Sequence, residues 1–320
     1  MRTFFVLVLL AAIGYGAYEW DVANYAAPGP APHETTVLIK PHEGVTAISQ
    51  KLASVGAVPY AQLFAMDVRV RGQAGALKAG EYAIPAHASP ADIAAILISG
   101  KSIEHKITAA EGLTSEMIYT LVKGDPTLDG DAGPVPPEGT LLPETYLYTH
   151  GTTREEILSR MTRDQQKFVE EHWDARSPGL PFATPEQALI LASVVEKETS
   201  IPAERRHIAA VFINRLRLGM KLQSDPTIIY GITRGYPLGR RIRESEIARA
   251  TPFNTYAITG LPATPICNPG KDAIAATLAP DTSKDLYFVA DGTGGHVFAD
   301  NIAQHEKNVA KWRKIEVERH

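Results

Sequence analysis

The sequence predicts an α+β protein carried behind an N-terminal membrane helix, and three observations predict it. An uncharged run opens the chain, strand–turn–helix units recur through its first third, and a capped apolar helix near the middle ends in two glutamates. The chain has 320 residues, 44% of them apolar and 21% charged. That is enough apolar material for a sizeable core, and a prior of roughly 150 residues per domain allows about two domains. A formal charge of −4 supplies no basic field of the kind that gathers nucleic acid, so nucleic acid is not an expected partner. Cys267 is the single cysteine, which excludes an intramolecular disulfide and any Cys-rich metal site.

The first element runs from Thr3 to Tyr18, 16 residues without a charge, with Arg2 before it and Glu19 and Asp21 after it. At about 1.5 Å per residue it reaches roughly 24 Å, and Trp20 brings it near the minimum for a bilayer. Tyr15, Tyr18 and Trp20 stand at one end and the positive charge at the other, which orients the N-terminus toward the cytoplasm. A cleaved signal peptide has a similar pattern. The apolar run begins almost at once, however, and no good small-x-small site lies between it and Trp20. Residues 1–20 are therefore expected to be an uncleaved single-pass anchor, with the rest of the chain outside the cytoplasm. Residues 21–34, which include the Pro/Ala-rich stretch from Ala26 to Pro32, read as a linker without a core of its own.

Next comes a recurring pattern. The β-prone Val37–Ile39 is followed by Glu43-Gly-Val-Thr46 and an amphipathic stretch with Ile48 and Leu52. Ile103–Ile107 is β-prone again, followed by Glu111-Gly-Leu-Thr114 and a stretch with Met117, Ile118 and Leu121. Between them, Gly80–Ile84 leads to Ser89-Pro90, an N-cap with proline at the first helical position, and a helix through Ile93, Ile96 and Leu97. These units predict a small α+β module over residues 35–103, with the Thr46 and Thr114 hydroxyls as helix caps. Gly124–Gly139, rich in Gly, Pro and Asp, reads as a boundary or a long loop. Arg154–Trp173 reads as a helix with Ile157, Met161 and Phe168 on one stripe.

The chemistry concentrates after Thr184. Thr184-Pro-Glu-Gln187 is a capping box, and seven of the eight residues from Ala188 to Val195 are apolar, so the helix they form is expected to be buried all round. Glu196-Lys-Glu198-Thr199 follows directly, with Glu198 on the strip of Ile190 and Val194. Desolvation and the negative end of the helix dipole both favour a protonated carboxyl there, and a retained proton is what a general acid needs. The plain alternative is that both glutamates end the helix and turn to solvent beside Lys197. A second helix follows, from about Pro202 to Leu218, with Asn214 and Arg215 as polar members. Asp225-Pro226 reads as a helix start. The stretch Thr251–Gly270 holds Asn254, Tyr256 and Asn268 among four prolines, a composition suited to a carbohydrate cleft and also to an ordinary surface loop. Asp291–Gly295 lies between two short apolar runs as a hairpin signal, and a last helix carries Ile302, Val309 and Trp312. No phosphate loop, dinucleotide fingerprint, metal-binding helix or nucleophile elbow is present, so no cofactor or metal is expected.

The run from Leu191 to Ile232 resembles the signature of the YceG-like endolytic murein transglycosylases, the MltG family. Leu142-Pro-Glu-Thr-Tyr146, Asn254-Thr-Tyr256, Gly260-Leu-Pro262, Asn268-Pro-Gly270, Tyr287–Ala290 and Gly295–Phe298 match in order. The resemblance implies a LysM-like module at 35–103 and a transglycosylase catalytic domain at 104–320. It also implies a lyase acting on peptidoglycan glycan strands between MurNAc and GlcNAc to leave 1,6-anhydroMurNAc ends. Such an enzyme would work near the inner membrane, on its periplasmic face and close to the synthesis machinery, terminating strand elongation. One carboxyl would serve as acid and then as base, unlike the two-carboxylate scheme of most glycoside hydrolases. The wider transglycosylases place their acid directly before Ser or Thr, a pattern that Glu198-Thr199 fits and Glu196-Lys197 does not. Glu198 is therefore the expected acid, with Glu196, Gln223, Asp225, Tyr230, Asn254 and Tyr256 as expected substrate-binding residues. Two other readings stay open. One is a hydrolytic muramidase, with Asp225 holding a water, and the other is a non-catalytic wall-binding scaffold.

Overall fold

A computed structural model describes residues 2–318. Met1 and the side chain of Arg2, in the expected anchor, and Arg319 and His320, at the end of the expected catalytic stretch, lie outside what is described. The chain is an α+β protein in two compact units. One contains the residues up to Lys106 with Thr127–Asp129 and Leu147–Thr152. The other contains Ile107–Pro126, Gly130–Tyr146 and the chain from Thr153 onward.

The first unit opens with α1 (Arg2–Ala26). Phe4–Ala26 is long and apolar enough to cross a membrane, and none of its apolar window is buried within the protein. The helix continues through residues 21–26, the first part of the expected linker. The remainder is held by His87, whose carbonyl accepts from Gly29 N–H (3.1 Å) and whose N–H donates to the Ala31 carbonyl (2.8 Å). β1 (Thr35–Ile39), α2 (Val45–Ser54), α3 (Ala61–Val70), β2 (Gly80–Ile84) and α4 (Pro90–Ser99) follow. β1 and β2 pair antiparallel with Val37 opposite Tyr82. The period-two alternation turns Val37, Ile39, Tyr82 and Ile84 inward onto Ile48, Leu52, Phe64, Val68, Ile93 and Leu97. Ser89 and Asp92 close a reciprocal capping box on α4. Thr46 is not a cap. Gly44 precedes α2, and the Thr46 hydroxyl instead accepts from Arg69 Nη2 at 2.8 Å.

β3 (Glu104–Thr108) pairs with β4 (Thr145–Thr149), not with β1 or β2, and α5 (Ser115–Gly124) lies between them in sequence. Its N-cap Thr114 accepts from Met117 N–H as expected. The second unit continues with α6 (Arg154–Asp174), α7 (Pro185–Glu198), α8 (Pro202–Arg217), α9 (Asp225–Thr233), α10 (Glu244–Ala248), α11 (Lys271–Leu278), β5 (Tyr287–Ala290), β6 (His296–Ala299) and α12 (Ile302–Glu318). α7 is its centre, packed by α6, α8, α9 and α11. Leu191, Ala192, Val194 and Val195 are wholly enclosed with Ile208, Phe212 and Ile274 around them. The helix is not buried all round, because Leu189 and Ile190 stay partly open. The hairpin of β5 and β6 forms as its sequence predicts, with Ala290 opposite His296. The Asp291 carboxylate closes the turn by accepting from Thr293 N–H and Gly295 N–H.

Candidate active site

The C-terminal end of α7 carries Glu198 to the wall of a cleft of about 480 Å³. Arg215, Leu222, Gln223, Asp225, Tyr256, Phe288, Val289, His305 and Val309 line the cleft with it. Glu198 is half-buried, and its Oε1 accepts from the Ser224 hydroxyl. Burial pushes the carboxyl up to about 7, and the neighbouring Asp225 adds to that. The Ser224 hydrogen bond and the charges of His296 and Arg215 pull the other way. Desolvation therefore wins, and near neutral pH the group can both give and take a proton.

The cleft is assembled around Arg215, which the sequence marks only as a polar member of its helix. From the last turn of α8 its Nε donates to the Leu286 carbonyl (2.6 Å), and its Nη1 donates to Leu222 O (2.9 Å), Lys221 O (3.2 Å) and Gln223 Oε1 (3.3 Å). One buried guanidinium thus fastens the 221–223 segment to the start of β5. Gln223 sits in the left-handed region at φ 54°, a conformation that costs a non-glycine residue about 1–3 kcal/mol. The Arg215 contact on its side chain and the bond from its N–H to Thr255 O (3.1 Å) hold it there.

Asp225 is the first residue of α9, after Ser224 at the N-cap, and its Oδ1 accepts from the Tyr256 hydroxyl at 2.7 Å. Tyr256 is positioned by Asn254. The Asn254 Nδ2 donates to the carbonyls of Glu246, Ile247 and Arg249, and its Oδ1 accepts from Tyr256 N–H (2.9 Å). α12 contributes His305 to the same cleft, and its ring stacks on Tyr287 at 5.0 Å between centroids. Its Nδ1 is buried with no hydrogen-bond partner in the protein. Burial and the charge of Arg215 keep that imidazole below its usual pKa, so it favours the neutral form.

Of the seven residues predicted for the site, Glu198, Gln223, Asp225 and Tyr256 share this cleft, while Glu196, Tyr230 and Asn254 do not line it. Two residues along a helix is a turn of about 200°, so Glu196 points away from Glu198. Its Oε2 accepts from Gly270 N–H at the start of α11 (3.0 Å), and its Oε1 lies 3.7 Å from Arg205. A side chain at Gly270 would overlap the Glu111 carboxylate, which would have to swing aside to admit it. Tyr230 is buried in α9, and its hydroxyl donates to Glu138 at 3.1 Å. Asn254 is 1% exposed with its amide fully engaged, so it shapes the loop that presents Tyr256. Sequence reasoning missed Arg215, Leu222, Phe288, Val289, His305 and Val309 as cleft residues, and Ser224 as the hydrogen-bond partner of Glu198. It also missed the pairing of Glu204 with His296 (2.7 Å), which bonds a helix residue to a hairpin residue 92 positions away. Among the described residues, no group of three or more His, Cys, Asp or Glu side chains is arranged to hold a metal ion.

The sequence profile of the YceG-like family matches residues 37–311. An endolytic murein transglycosylase of Bacillus subtilis is 34% identical over 55% of this chain and 48% of its own length. One of Streptococcus pneumoniae is 30% identical over 95% of this chain and 63% of its own length. The chain therefore spans about half to just under two thirds of these curated relatives. A crystal structure of a YceG-like protein of Listeria monocytogenes superposes with a TM-score of 0.54 at 25% identity, covering 86% of this chain and 98% of that one.

Proposed function

The chain belongs to the YceG-like family, and from that premise we propose that it is an endolytic murein transglycosylase, a lyase that cuts glycan strands of peptidoglycan with Glu198 as its acid and base. One observation carries the reading. The carboxyl of Glu198 ends a buried helix, faces an open cleft, and is pushed up to about 7. Protonated, it would donate to the glycosidic oxygen between MurNAc and GlcNAc as the oxocarbenium-like centre develops. The carboxylate left behind would take the proton of the MurNAc O6 hydroxyl as that oxygen attacks C1. The products are a 1,6-anhydroMurNAc end and a free GlcNAc hydroxyl, and the acid is restored. Gln223 offers an amide to sugar hydroxyls and acetamido groups, while Tyr256 and Phe288 offer flat apolar faces.

In the same reading α1 is a single-pass anchor of the cell membrane, with its N-terminus inside and the catalytic unit outside the cytoplasm. The elements around β1 and β2 act as a LysM-like module that brings the enzyme to the wall. Cleavage near the membrane would end the elongation of new strands beside the machinery that makes them. The apolar helix and the aromatic and charged residues at its ends support the anchor, and the names of the relatives support a substrate in the wall. Asp225, a second carboxylate in the same cleft, gives one reason to keep a hydrolytic muramidase as the second reading.

The test is mass spectrometry of products from purified peptidoglycan incubated with wild type, Glu198→Gln and Glu196→Gln. Anhydro ends from wild type and Glu196→Gln but not from Glu198→Gln support both reaction and acid. Reducing ends would make the enzyme a hydrolase and turn attention to Asp225. Binding without cleavage by any folded variant would leave a wall-binding scaffold.

A further inference from the structure

The junction at which α1 leaves its expected span and meets the first unit plays no part in the reaction, yet it is closely built. α1 does not stop at Trp20 but runs unbroken to Ala26, and its last turns are fastened to the end of α3. Arg71 Nη2 donates to Asp21 Oδ2 at 2.9 Å, and the same guanidinium lies 3.9 Å from the centre of the Tyr25 ring. The Tyr25 hydroxyl donates to Gln73 Oε1 at 2.8 Å. With the bonds of His87 to Gly29 and Ala31, the segment from Asp21 to Ala31 is docked and not a loose tether.

This docking has a geometric result. At about 1.5 Å per residue, Asp21–Tyr25 lies within roughly 8 Å of Trp20 along the helix axis. The headgroup layer beyond the hydrocarbon core is of similar depth, about 5–8 Å. With the span ended at Trp20, where Tyr15, Tyr18 and Trp20 gather ahead of Asp21, whatever is held against Asp21–Tyr25 is held at headgroup level. The residue before Arg71 is Val70, which is 77% exposed, and one turn earlier stands Met66, 48% exposed. Arg69, also exposed, lies between them. Two apolar side chains in register on a helix, with a guanidinium beside them, match the chemistry of a lipid interface, where apolar groups sink below the phosphates and basic groups meet them.

We propose that the α3 face of Met66, Arg69 and Val70 rests on the lipid headgroup layer on the side where α1 emerges, so that the first unit is seated on the membrane and not suspended above it. This rests on the reading of α1 as an inserted anchor. The partner is the bilayer itself, and the continuity from the span through Asp21–Arg71 into α3 selects it over a protein groove.

The experiment uses the full chain in vesicles of phosphatidylcholine and phosphatidylglycerol, some of whose lipids carry a nitroxide at the headgroup. With the buried Cys267 replaced by alanine, a polarity-sensitive fluorophore is placed in turn at Met66→Cys, Val70→Cys, Lys101→Cys and Val8→Cys. Lys101 is exposed and stands outside the α3 face. The labels at 66 and 70 are expected to lose most of their emission to the nitroxide and to shift to the blue, while the label at 101 does neither. A label at 8 that shifts to the blue while 66 and 70 behave like 101 would leave the anchor standing and overturn the seat. A label at 8 that stays as in water would remove the anchor and the seat together.

Discussion

Ser224 gives its hydroxyl to Glu198, and α9, the helix that Ser224 opens, goes without a side-chain cap. A serine at that position ordinarily accepts from a backbone N–H of the first turn, an arrangement worth about 1 kcal/mol. Here the hydroxyl is turned the other way, toward a carboxyl that burial favours in its neutral form. A residue that looks in sequence like part of a helix start is instead a hydrogen-bond partner of Glu198.

Ser224→Ala therefore has a signed outcome. The hydroxyl bond favours the carboxylate, so its loss should raise the Glu198 pKa further and move the alkaline limb of the pH–rate profile to higher pH. The maximal rate should fall, because a carboxylate without its donor is less well placed. A profile that drops in height without moving would assign Ser224 to packing alone.

Stability should depend on the same group. The folded pKa of Glu198, about 7, lies above its ordinary value of 4.5, so its favourable contribution is complete below about pH 4.5 and is lost as pH rises to about 7. The full loss approaches 3 kcal/mol at 1.36 kcal/mol per pH unit, less what the cleft's opening to water relieves. Glu198→Gln carries no charge to bury. Thermal unfolding should find it close to wild type at pH 5 and several degrees more stable at pH 8. Equal melting temperatures at both pH values would show that the carboxyl is well solvated.

Asn254→Ala should act at a distance. It strips the donor from three carbonyls, those of Glu246, Ile247 and Arg249, and each lost hydrogen bond costs about 0.5–1.5 kcal/mol. Calorimetry should show the loss, and activity should fall because Tyr256 is no longer held. Restoring the melting temperature with a stabilising osmolyte should not restore full turnover.

His305→Ala should separate binding from chemistry. On the proposed function the neutral ring lines the cleft with Glu198 and is given no part in the proton transfer, so KM should rise while kcat stays near wild type. In a Glu198→Gln background, retention on insoluble peptidoglycan should weaken when His305 is also removed. A fall in kcat with KM unchanged would place His305 in the proton transfer instead.

Much of the fold is legible in the sequence because it rests on local signals. The Ser89-Pro90 and Thr184-Pro185 caps, the period-two strands around Val37 and Tyr82, and the Asp291–Gly295 turn each declare themselves within a few residues. Burial of α7 is legible in outline, since Leu191 and Val195 lie deep in the core, while the open flank at Leu189 and Ile190 depends on which neighbours come to cover it. The docked segment after Trp20 is not legible, because Tyr25 is tied to Gln73 and Arg71, residues nearly 50 positions away. The cleft divides in the same way. Glu198, Gln223, Asp225 and Tyr256 can be picked out by type and by family resemblance. Arg215 and His305 cannot, for a buried guanidinium that ties two segments and an imidazole on a late helix have no local spacing to mark them. Asn254 and Tyr230 show the converse, in which a recognisable motif serves the scaffold behind the cleft.

The placement of His305 and Val309 also bears on timing. Glu198 stands on α7, while His305 and Val309, which line the cleft with it, stand on α12 more than a hundred residues later. A ribosome that has delivered α7, α8 and α9 has therefore delivered Glu198 with part of its cleft still missing. A chain cut short before Ile302 should fold much of its helical core and still leave glycan untouched. On the proposed function, the chain would in this way stay unable to cut glycan through most of its synthesis.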